Sequence, residues 1–292
     1  MHKYLRAIGY GDLTSKKQLN ELLKEAVNVY IHHELMALDQ DIDYCEYRTE
    51  CAENAGICVC GTVDTEDHFE RYFYYPYFKG NEVTSYTDVI LERRIDKEAY
   101  MGIYEDDKVG ISLIFYLQNA AECMMIKGFN TEVIDHVSVV LSGLCNSGMV
   151  LHPVLKTPEQ EKKSEEETHN RRMLLNAARG GDQSAMESLT LDDLDTYTKV
   201  SRRLVKEDVF SIVETYFMPY GIECDRYSIL GEILAIRKID NWHTGKELYV
   251  MKLNVNEMQF DICVPVENVI GEPAVGRRFK GNIWLQGRVV FG

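Results

Sequence analysis

Phe279–Phe291, which reads FKGNIWLQGRVVF, decides how the C-terminal part of the sequence folds. Its odd-numbered positions are apolar or glycine, the apolar ones being Phe279, Ile283, Leu285, Val289 and Phe291. Alternation with a period of two is typical of a β-strand with one face in a core and the other face directed outward. The outward face would then carry Lys280, Asn282, Trp284, Gln286 and Arg288. Cations, amides and an indole on one strand face predict a recognition surface.

Length, composition and charge limit the classes of protein to consider. The 292 residues suffice for two domains, and 45% hydrophobic with 27% charged residues is ordinary for a globular protein. A net charge of −15 argues against a general nucleic-acid binder, because phosphate contacts need clustered Lys and Arg. The start, MHKYLRAIGYGDL, lacks the apolar core of a signal peptide, and no apolar run approaches the ~20 residues of a membrane-spanning helix. We therefore expect a cytoplasmic protein, away from membranes, with reduced cysteines.

Residues 1–156 predict an α+β domain. Ser15–Leu38 carries a helical stripe of apolar residues and opens with a capping box of Ser15 and Gln18. An antiparallel sheet follows, with strands predicted at Tyr44–Cys51, Ile57–Val63, Glu70–Phe78, Val83–Arg94, Gly110–Gln118, Val137–Cys145 and Met149–Val154. Pro76 places the end of the Glu70–Phe78 segment in an edge strand or a loop, because proline cannot donate to a sheet. One helix with several strands gives the α+β class.

Residues 157–225 predict a charged linker and a helical segment. Thr157–His169 (TPEQEKKSEEETH) has no large apolar residue and is dense in charge, which is typical of a solvated linker or an exposed helix. Helices are then predicted at Arg171–Arg179, Gln183–Leu189, Asp192–Leu204 and Glu207–Phe217. Asp182 and Thr190 are the candidate N-caps of the second and third of these helices.

Residues 226–292 predict a small C-terminal β-barrel of the oligonucleotide/oligosaccharide-binding (OB-like) type. The strands are Tyr227–Ile239, Leu248–Val255, Met258–Val264 and the closing Phe279–Phe291. Closure removes the edges that so short a sheet would expose, although the helix usual in that fold has no counterpart in Val266–Gly276. These residues carry 9 basic and 7 acidic side chains, net +2, against −11 for residues 1–156 and −6 for residues 157–225. The barrel is therefore the part that an anion approaches most easily.

Several strings in the sequence are long and specific. They are His2–Gly9 (HKYLRAIG), Asp208–Asp225 (DVFSIVETYFMPYGIECD), Gly271–Pro273 (GEP) and Gly276–Gly287 (GRRFKGNIWLQG). They resemble an uncharacterised family, a domain of unknown function found in anaerobic Clostridia-type bacteria. The resemblance covers essentially the full length. It implies a bacterial cytoplasmic origin, and it implies no activity, cofactor or catalytic residue.

Two other groups of residues are candidates for a functional role. Cys45, Cys51, Cys58 and Cys60 could surround a zinc ion, but the gaps of five, six and one residues between them do not match the paired knuckles of structural zinc sites. We therefore expect no metal and no cofactor. The aromatic stretch Phe69–Phe78 could stack sugars or bases, or could be a sheet face packed under the long helix.

The leading hypothesis is a non-enzymatic protein that binds a partner protein or an anionic ligand through the barrel. The sequence has no phosphate-binding loop or nucleophile elbow, and no residue is assigned a catalytic role. The predicted binding residues combine charge with flat rings, and they are Trp242, Arg277, Arg278, Lys280, Trp284 and Arg288. Alternatively, Trp284 is buried against the helical segment or the first domain. Two other functions stay open: single-stranded nucleic-acid binding by the barrel, and an enzyme with a site between the domains around the aromatic strand.

Overall fold

The computed structural model describes residues 1–37, 41–93, 99–106, 111–127, 133–154, 158–204 and 209–291. A 3₁₀ helix spans Lys3–Ile8, and a second short one spans Val266–Asn268. The α-helices are α1 (Lys16–Asn28), α2 (Ala120–Lys127), α3 (Pro158–Arg179), α4 (Gln183–Leu204) and α5 (Val209–Ile212). The strands are β1 (His32–Ala37), β2 (Ile42–Ala52), β3 (Ala55–Asp64), β4 (Phe69–Phe78), β5 (Ser85–Arg93), β6 (Tyr100–Asp106), β7 (Ile111–Leu117), β8 (Val133–Leu151), β9 (Tyr216–Pro219), β10 (Arg226–Asp240), β11 (Glu247–Val255), β12 (Met258–Pro265), β13 (Val269–Ile270) and β14 (Arg278–Val290). The fold is thus mixed α+β and rich in strands.

The first sheet is an antiparallel meander in the order β1-β2-β3-β4. Helix α1 begins at the predicted capping box, in which the Ser15 hydroxyl accepts from the Gln18 backbone and the Gln18 side chain accepts from the Ser15 backbone. The predicted extension of this helix to Leu38 is wrong, because the helix ends at Asn28 and the chain turns into β1, which pairs with β2. Leu38 itself lies outside the described residues.

The second sheet joins strands from both ends of the chain. Its order among the described residues is β11-β12-β8-β5-β6-β7-β14-β10-β9, and the additional β8–β14 and β10–β11 pairings close two rings. One ring contains β8, β14, β10, β11 and β12, and the other contains β8, β5, β6, β7 and β14. Both rings share the long antiparallel pair β8–β14.

The predicted OB-like barrel of residues 226–292 is not confirmed. Strand β8, from the first 156 residues, lies between β12 and β14 and completes the ring that β10, β11 and β12 begin. The strands of residues 226–292 alone would leave two edges open, at β12 and at β14. Strand β8 supplies the hydrogen-bonding partner for both edges. The division into units 1–156, 157–225 and 226–292 remains a prediction, and the hydrogen bonds of this sheet cross both of its boundaries.

Strand β14 is buried on both faces along its middle. The predicted inward face is confirmed, since Phe279, Ile283, Leu285 and Val289 are fully buried in the core of the second sheet. The predicted outward face is wrong at Trp284 and Gln286, which are also buried. The first sheet and the N-terminal 3₁₀ helix cover the middle of that face, whereas Asn282 and Arg288 on it are exposed.

The charged middle of the chain contains the two longest helices, α3 and α4. The stretch predicted as a linker or an exposed helix forms the first part of α3. Asp182 caps α4 as predicted, with its carboxylate accepting from the backbone N–H groups of Ser184 and Ala185. Thr190 is not a cap, because α4 continues through it and its hydroxyl donates to the carbonyl of Met186. No helix in the described part of the chain combines the length and the apolar character needed to span a membrane.

Candidate functional site

A cavity of about 470 Å³ lies between the two sheets. We call it the aromatic pocket. Its aromatic lining comes from β4, β7 and β14, and consists of Tyr72, Phe73, Tyr74, Tyr75, Tyr116 and Trp284. Its polar lining consists of His2, Arg71, Glu223, Asp225 and Arg226, and Met1 and Ala99 complete it. This volume falls within the range of small-molecule sites, roughly 300–1,000 Å³.

The aromatic side chains form one continuous wall. The ring centroids of Phe73 and Tyr75 are 6.4 Å apart and stacked, and Tyr75 is 4.6 Å from Tyr116. Tyr116 meets Trp284 edge to face at 5.0 Å, and Trp284 lies 4.7 Å from the His2 ring. Such offset and edge-on contacts between rings are the favourable geometries, so the wall is held in place without needing a ligand.

A hydrogen bond fixes the orientation of the Trp284 indole. Its Nε1 donates to Oδ2 of Asp225 over 2.8 Å, and both side chains are buried. The backbone adds a second link, because the N–H of Leu285 donates to the carbonyl of Asp225 over 2.9 Å. A buried indole N–H needs such a partner, and here the partner comes from the residue that precedes β10.

Arg226 is the principal cation of the pocket. Its guanidinium pairs with the Glu223 carboxylate and lies 5.3 Å from the centre of the Tyr4 ring. The side chain is only 15% exposed, and this burial lowers the pKa of Arg226 below its usual range. Its Nε is buried and has no hydrogen-bond partner among the described residues. The pocket therefore holds a partly desolvated cation with an N–H donor that is not paired.

Of the six residues predicted to bind a ligand, Trp284 lies in this pocket. It does not face solvent from a barrel surface as predicted, since it is 4% exposed and packs against the Lys3–Ile8 helix and β7, in agreement with the alternative of a buried indole. Arg278 is buried as well, and its guanidinium donates to the backbone carbonyls of Phe210, Val213 and His152. The Arg278 side chain therefore caps the carbonyl groups at the end of α5, and it is not positioned to contact a ligand.

The other four predicted residues do not gather at one place. Lys280 extends over the Phe210 ring, with Nζ 4.3 Å from the ring centre. Arg277 donates to the Glu272 carbonyl. Trp242 is 63% exposed at the tip of the β10–β11 hairpin, and Arg288 pairs with Glu122 over 3.2 Å and lines a second cavity.

Sequence reasoning missed the polar residues of the pocket. Asp225 and Arg226 follow a run of turn residues, and a carboxylate and a guanidinium beside a predicted strand carry no pattern that distinguishes them from surface charges. The aromatic segment of β4 is a possible stacking surface by its sequence, and its residues Arg71–Tyr75 do line the pocket. Tyr75, Tyr77 and Phe78 at the end of the strand are buried.

The cysteines form no cluster that resembles a metal site. All eight are free thiols. The Sγ atoms of Cys58 and Cys60 are 3.7 Å apart, whereas Cys51 faces the carbonyls of Ile8 and Ala55. Within the described ranges, no group of three or more His, Cys, Asp or Glu side chains is arranged to hold a metal ion.

Comparison with known proteins identifies a family for the chain, but no individual relative. No curated protein matches the chain, and no solved structure matches it either. One family model matches residues 5–287, which include both sheets and the residues of the aromatic pocket from Arg71 to Trp284. The chain belongs to the family described as a domain of unknown function from an E. rectale gene description, DUF3881.

Proposed function

We propose that this protein binds a small molecule in the aromatic pocket, and that the ligand is a flat ring compound carrying a carboxylate or a similar anionic group. The observation that carries the proposal is the pairing of an aromatic wall with the Arg226 guanidinium inside one cavity of about 470 Å³. Rings stack on the wall, and an anionic group accepts from the guanidinium. The proposal keeps the anionic ligand expected from the sequence and moves its site from a barrel surface to the space between the sheets.

The aromatic wall favours a flat ring over an aliphatic chain. Phe73 and Tyr74 are half-buried, and Tyr72 is 47% exposed, so the rings of β4 present faces on which a ligand can stack. Stacking of an aromatic ring on such a face contributes about 1–3 kcal/mol. Trp284 and Tyr116 are fixed by their neighbours, so little conformational entropy is lost when a ring packs against them.

Arg226 favours an anionic group on that ring. Its pairing with Glu223 leaves Nε without a partner, and the partial burial of the guanidinium strengthens any hydrogen bond that it makes. Glu223 is 30% exposed on the solvent side of the pair and can be hydrated when a ligand takes part of the guanidinium. A hydrogen bond to a charged group contributes about 1.5–3 kcal/mol, which corresponds to a tenfold to hundredfold change in affinity.

The pocket lies beside the aromatic strand, where the enzyme hypothesis placed its site. None of its residues is assigned a catalytic role, because its described lining contains no Ser, Thr, Cys or Lys side chain that could act as a nucleophile. Binding is therefore the function that we propose. Single-stranded nucleic acid is less favoured as a ligand, because the cations predicted to hold phosphates point to different parts of the surface.

Intrinsic fluorescence tests the proposal. The chain has two tryptophans, so Trp242→Phe leaves Trp284 as the single reporter at the pocket. In this background we expect benzoate to change the emission saturably, benzyl alcohol to bind more weakly, and acetate to have no effect. The comparison separates the contribution of the ring from that of the carboxylate.

Two further variants locate the binding site. Arg226→Gln is expected to weaken benzoate binding at least tenfold, and Tyr72→Ala, a change of an exposed side chain, is expected to weaken it severalfold. Arg237→Gln is the matched control, because Arg237 forms an exposed ion pair with Glu53 away from the pocket. The proposal is lost if no aromatic probe gives a saturable change, or if Arg226→Gln and Tyr72→Ala both bind benzoate like the parent.

A further inference from the structure

A second cavity, of about 260 Å³, lies near the end of β7. It is lined by residues of both sheets, among them His32, Glu34, Arg48, Tyr77, Lys79 and Arg288. Of the described residues, only Tyr75 lines both this cavity and the aromatic pocket. The volume is below the range of drug-sized sites, so any ligand is small.

Two buried carboxylates share one guanidinium at this cavity. Nη2 of Arg48 donates to Oε2 of Glu46 over 2.6 Å, and Nη1 of Arg48 lies 3.7 Å from Oε1 of Glu34. The three side chains are between 3% and 11% exposed. With both carboxylates ionised, one cation faces two anions where solvent screens them little, and the trio carries a formal excess of one negative charge. The charge of Glu34 also contributes to the raised pKa of Glu46, after the larger effect of burial.

The other two cations at the cavity have their own carboxylates. Nζ of Lys79 is 3.5 Å from Oε1 of Glu50, and Nη2 of Arg288 is 3.2 Å from Oε2 of Glu122. These pairs balance in charge and lie nearer to solvent than the Arg48 trio. They leave the excess negative charge of the trio in place.

Two polar atoms of the lining residues lack a partner. Oε2 of Glu34 is buried and accepts no hydrogen bond from the described residues, although Oε1 of the same group lies 3.2 Å from Nε2 of His32. The hydroxyl of Tyr77 is likewise without a partner, and that side chain is 2% exposed. Buried polar atoms nearly always have a hydrogen-bond partner in folded proteins. Two unpartnered oxygens among the residues of one cavity therefore indicate that a bound molecule donates hydrogen bonds there.

We propose that this cavity binds a small molecule through a protonated primary amine. The ammonium group donates to Oε2 of Glu34 and, where both carboxylates are ionised, supplies the positive charge that the Glu34–Arg48–Glu46 trio lacks. An ammonium has three donors and no acceptor, which matches an unpaired carboxylate oxygen and a phenol oxygen. The site is separate from the aromatic pocket, and failure of the benzoate experiment would leave this proposal standing.

Three four-carbon probes of similar size test the charge preference on the unmodified protein. They are n-butylamine in its protonated form, 1-butanol and butyrate, each titrated while the side-chain amide signals of Gln118 and Asn119, which line the cavity, are followed by NMR. We expect saturable shifts with the amine, much weaker binding of the alcohol and none of the acid. Equal binding of the alcohol, preferential binding of butyrate, or no saturable shift with the amine would overturn the proposal.

A pair of glutamate variants locates the amine. Glu34→Gln removes the charge at nearly constant shape and is expected to weaken amine binding at least tenfold. Glu66→Gln makes the same change on a side chain that is 79% exposed, and is expected to leave the affinity unchanged. Equal affinities in the two variants would place the amine elsewhere and refute the assignment. The selectivity of the unmodified protein decides the question even if the Glu34 variant is poorly folded.

Discussion

Nε2 of Gln118 donates a hydrogen bond to Oε1 of Gln286 over 2.9 Å, and the two buried amides join the first sheet to the second. The same Gln118 amide donates to the carbonyl of Phe78. Gln286 accepts from the N–H of Phe78 and donates to the carbonyl of Pro76. Strand β4 is the edge of the first sheet, so two side chains of the second sheet satisfy backbone groups that would otherwise be buried without a partner.

Replacing Gln286 with leucine should destabilise the protein by about 2–4 kcal/mol. The change keeps much of the volume, but it leaves the N–H of Phe78 and the carbonyl of Pro76 without their partner in a buried site, and each unsatisfied group costs about 1–3 kcal/mol. Urea unfolding measures the difference. Asn282→Leu, an exposed position on the same strand, should change stability by less than about 0.5 kcal/mol. Equal effects of the two changes would show that the amide links contribute nothing.

This contact shows what the alternation in β14 could and could not predict. A period of two identifies the strand and its two faces, and the face with Ile283 and Leu285 is buried as expected. The pattern cannot show whether a second layer covers the other face. A polar face with Trp284 and Gln286 looks the same whether water or another sheet meets it, because the partners of those side chains lie in segments distant in the sequence.

The candidate site was predictable only in its aromatic part. The concentration of rings in β4 is visible in the sequence, since aromatic residues are enriched in strands and at binding surfaces. The placement of Arg226 beside them depends on the pairing of β10 with β14 and on the contact between the two sheets. Neither this pairing nor this contact is encoded in a local spacing of residues. The sequence therefore points to the four cations in and beside β14, which are close in sequence but scattered in the structure.

Gly287 in β14 and Gly102 in β6 are both covered by the Phe115 ring. A Cβ built on Gly287 would lie 2.4 Å from Cδ2 of Phe115, and one on Gly102 would lie 2.1 Å from Cζ of the same ring. Gly287→Ala should therefore destabilise the protein by about 1–3 kcal/mol through overpacking, measured by thermal or urea unfolding. Gly11→Ala, where the nearest atom is Cγ of Arg6 at 3.4 Å, is the matched control and should be nearly neutral.

A second change checks that the loss at Gly287 comes from the ring. Adding Phe115→Leu to Gly287→Ala frees space beside the new methyl group. The double variant should lose less stability than the sum of the two single losses, since neighbours that share one space are not additive. Simple additivity would show that Gly287 is required for another reason.

The two indoles should differ in hydrogen exchange. Nε1 of Trp284 is bonded to Asp225 and buried, whereas Trp242 is 63% exposed. In NMR spectra recorded after transfer to D₂O, the Trp242 indole signal should disappear at once and the Trp284 signal should persist, with exchange slowed at least about a hundredfold. Trp242→Phe assigns the signals. Asp225→Ala should accelerate exchange at Trp284 if the carboxylate holds the indole, and unchanged exchange in that variant would contradict the geometry.

Glu46 should make stability fall as the pH rises through the neutral range. Burial is the main cause that raises the pKa of Glu46 from 4.5 to about 7, with Arg48 opposing it and Glu34 adding to it. The folded protein thus holds a proton that the unfolded chain releases at lower pH. The resulting stabilisation is complete below pH ~4.5 and is lost as the pH rises past ~7, a change of about 3 kcal/mol at ~1.4 kcal/mol per pKa unit.

Glu46→Gln should remove this contribution, because a glutamine keeps the shape of the protonated acid and does not titrate. The free energy of unfolding in urea is to be measured at about pH 5 and about pH 8 for both proteins. From about pH 5 to about pH 8, the free energy of unfolding of the variant should rise relative to that of the parent by about 2–3 kcal/mol. Only the parent has a buried ionised Glu46 at the higher pH, and that charge is destabilising. Glu53→Gln, an exposed glutamate paired with Arg237, should show no such gain. If the free energies of unfolding of the parent and of the Glu46 variant change with pH in parallel, the Glu46 carboxylate ionises normally. Arg48, at 2.6 Å, would then keep it charged.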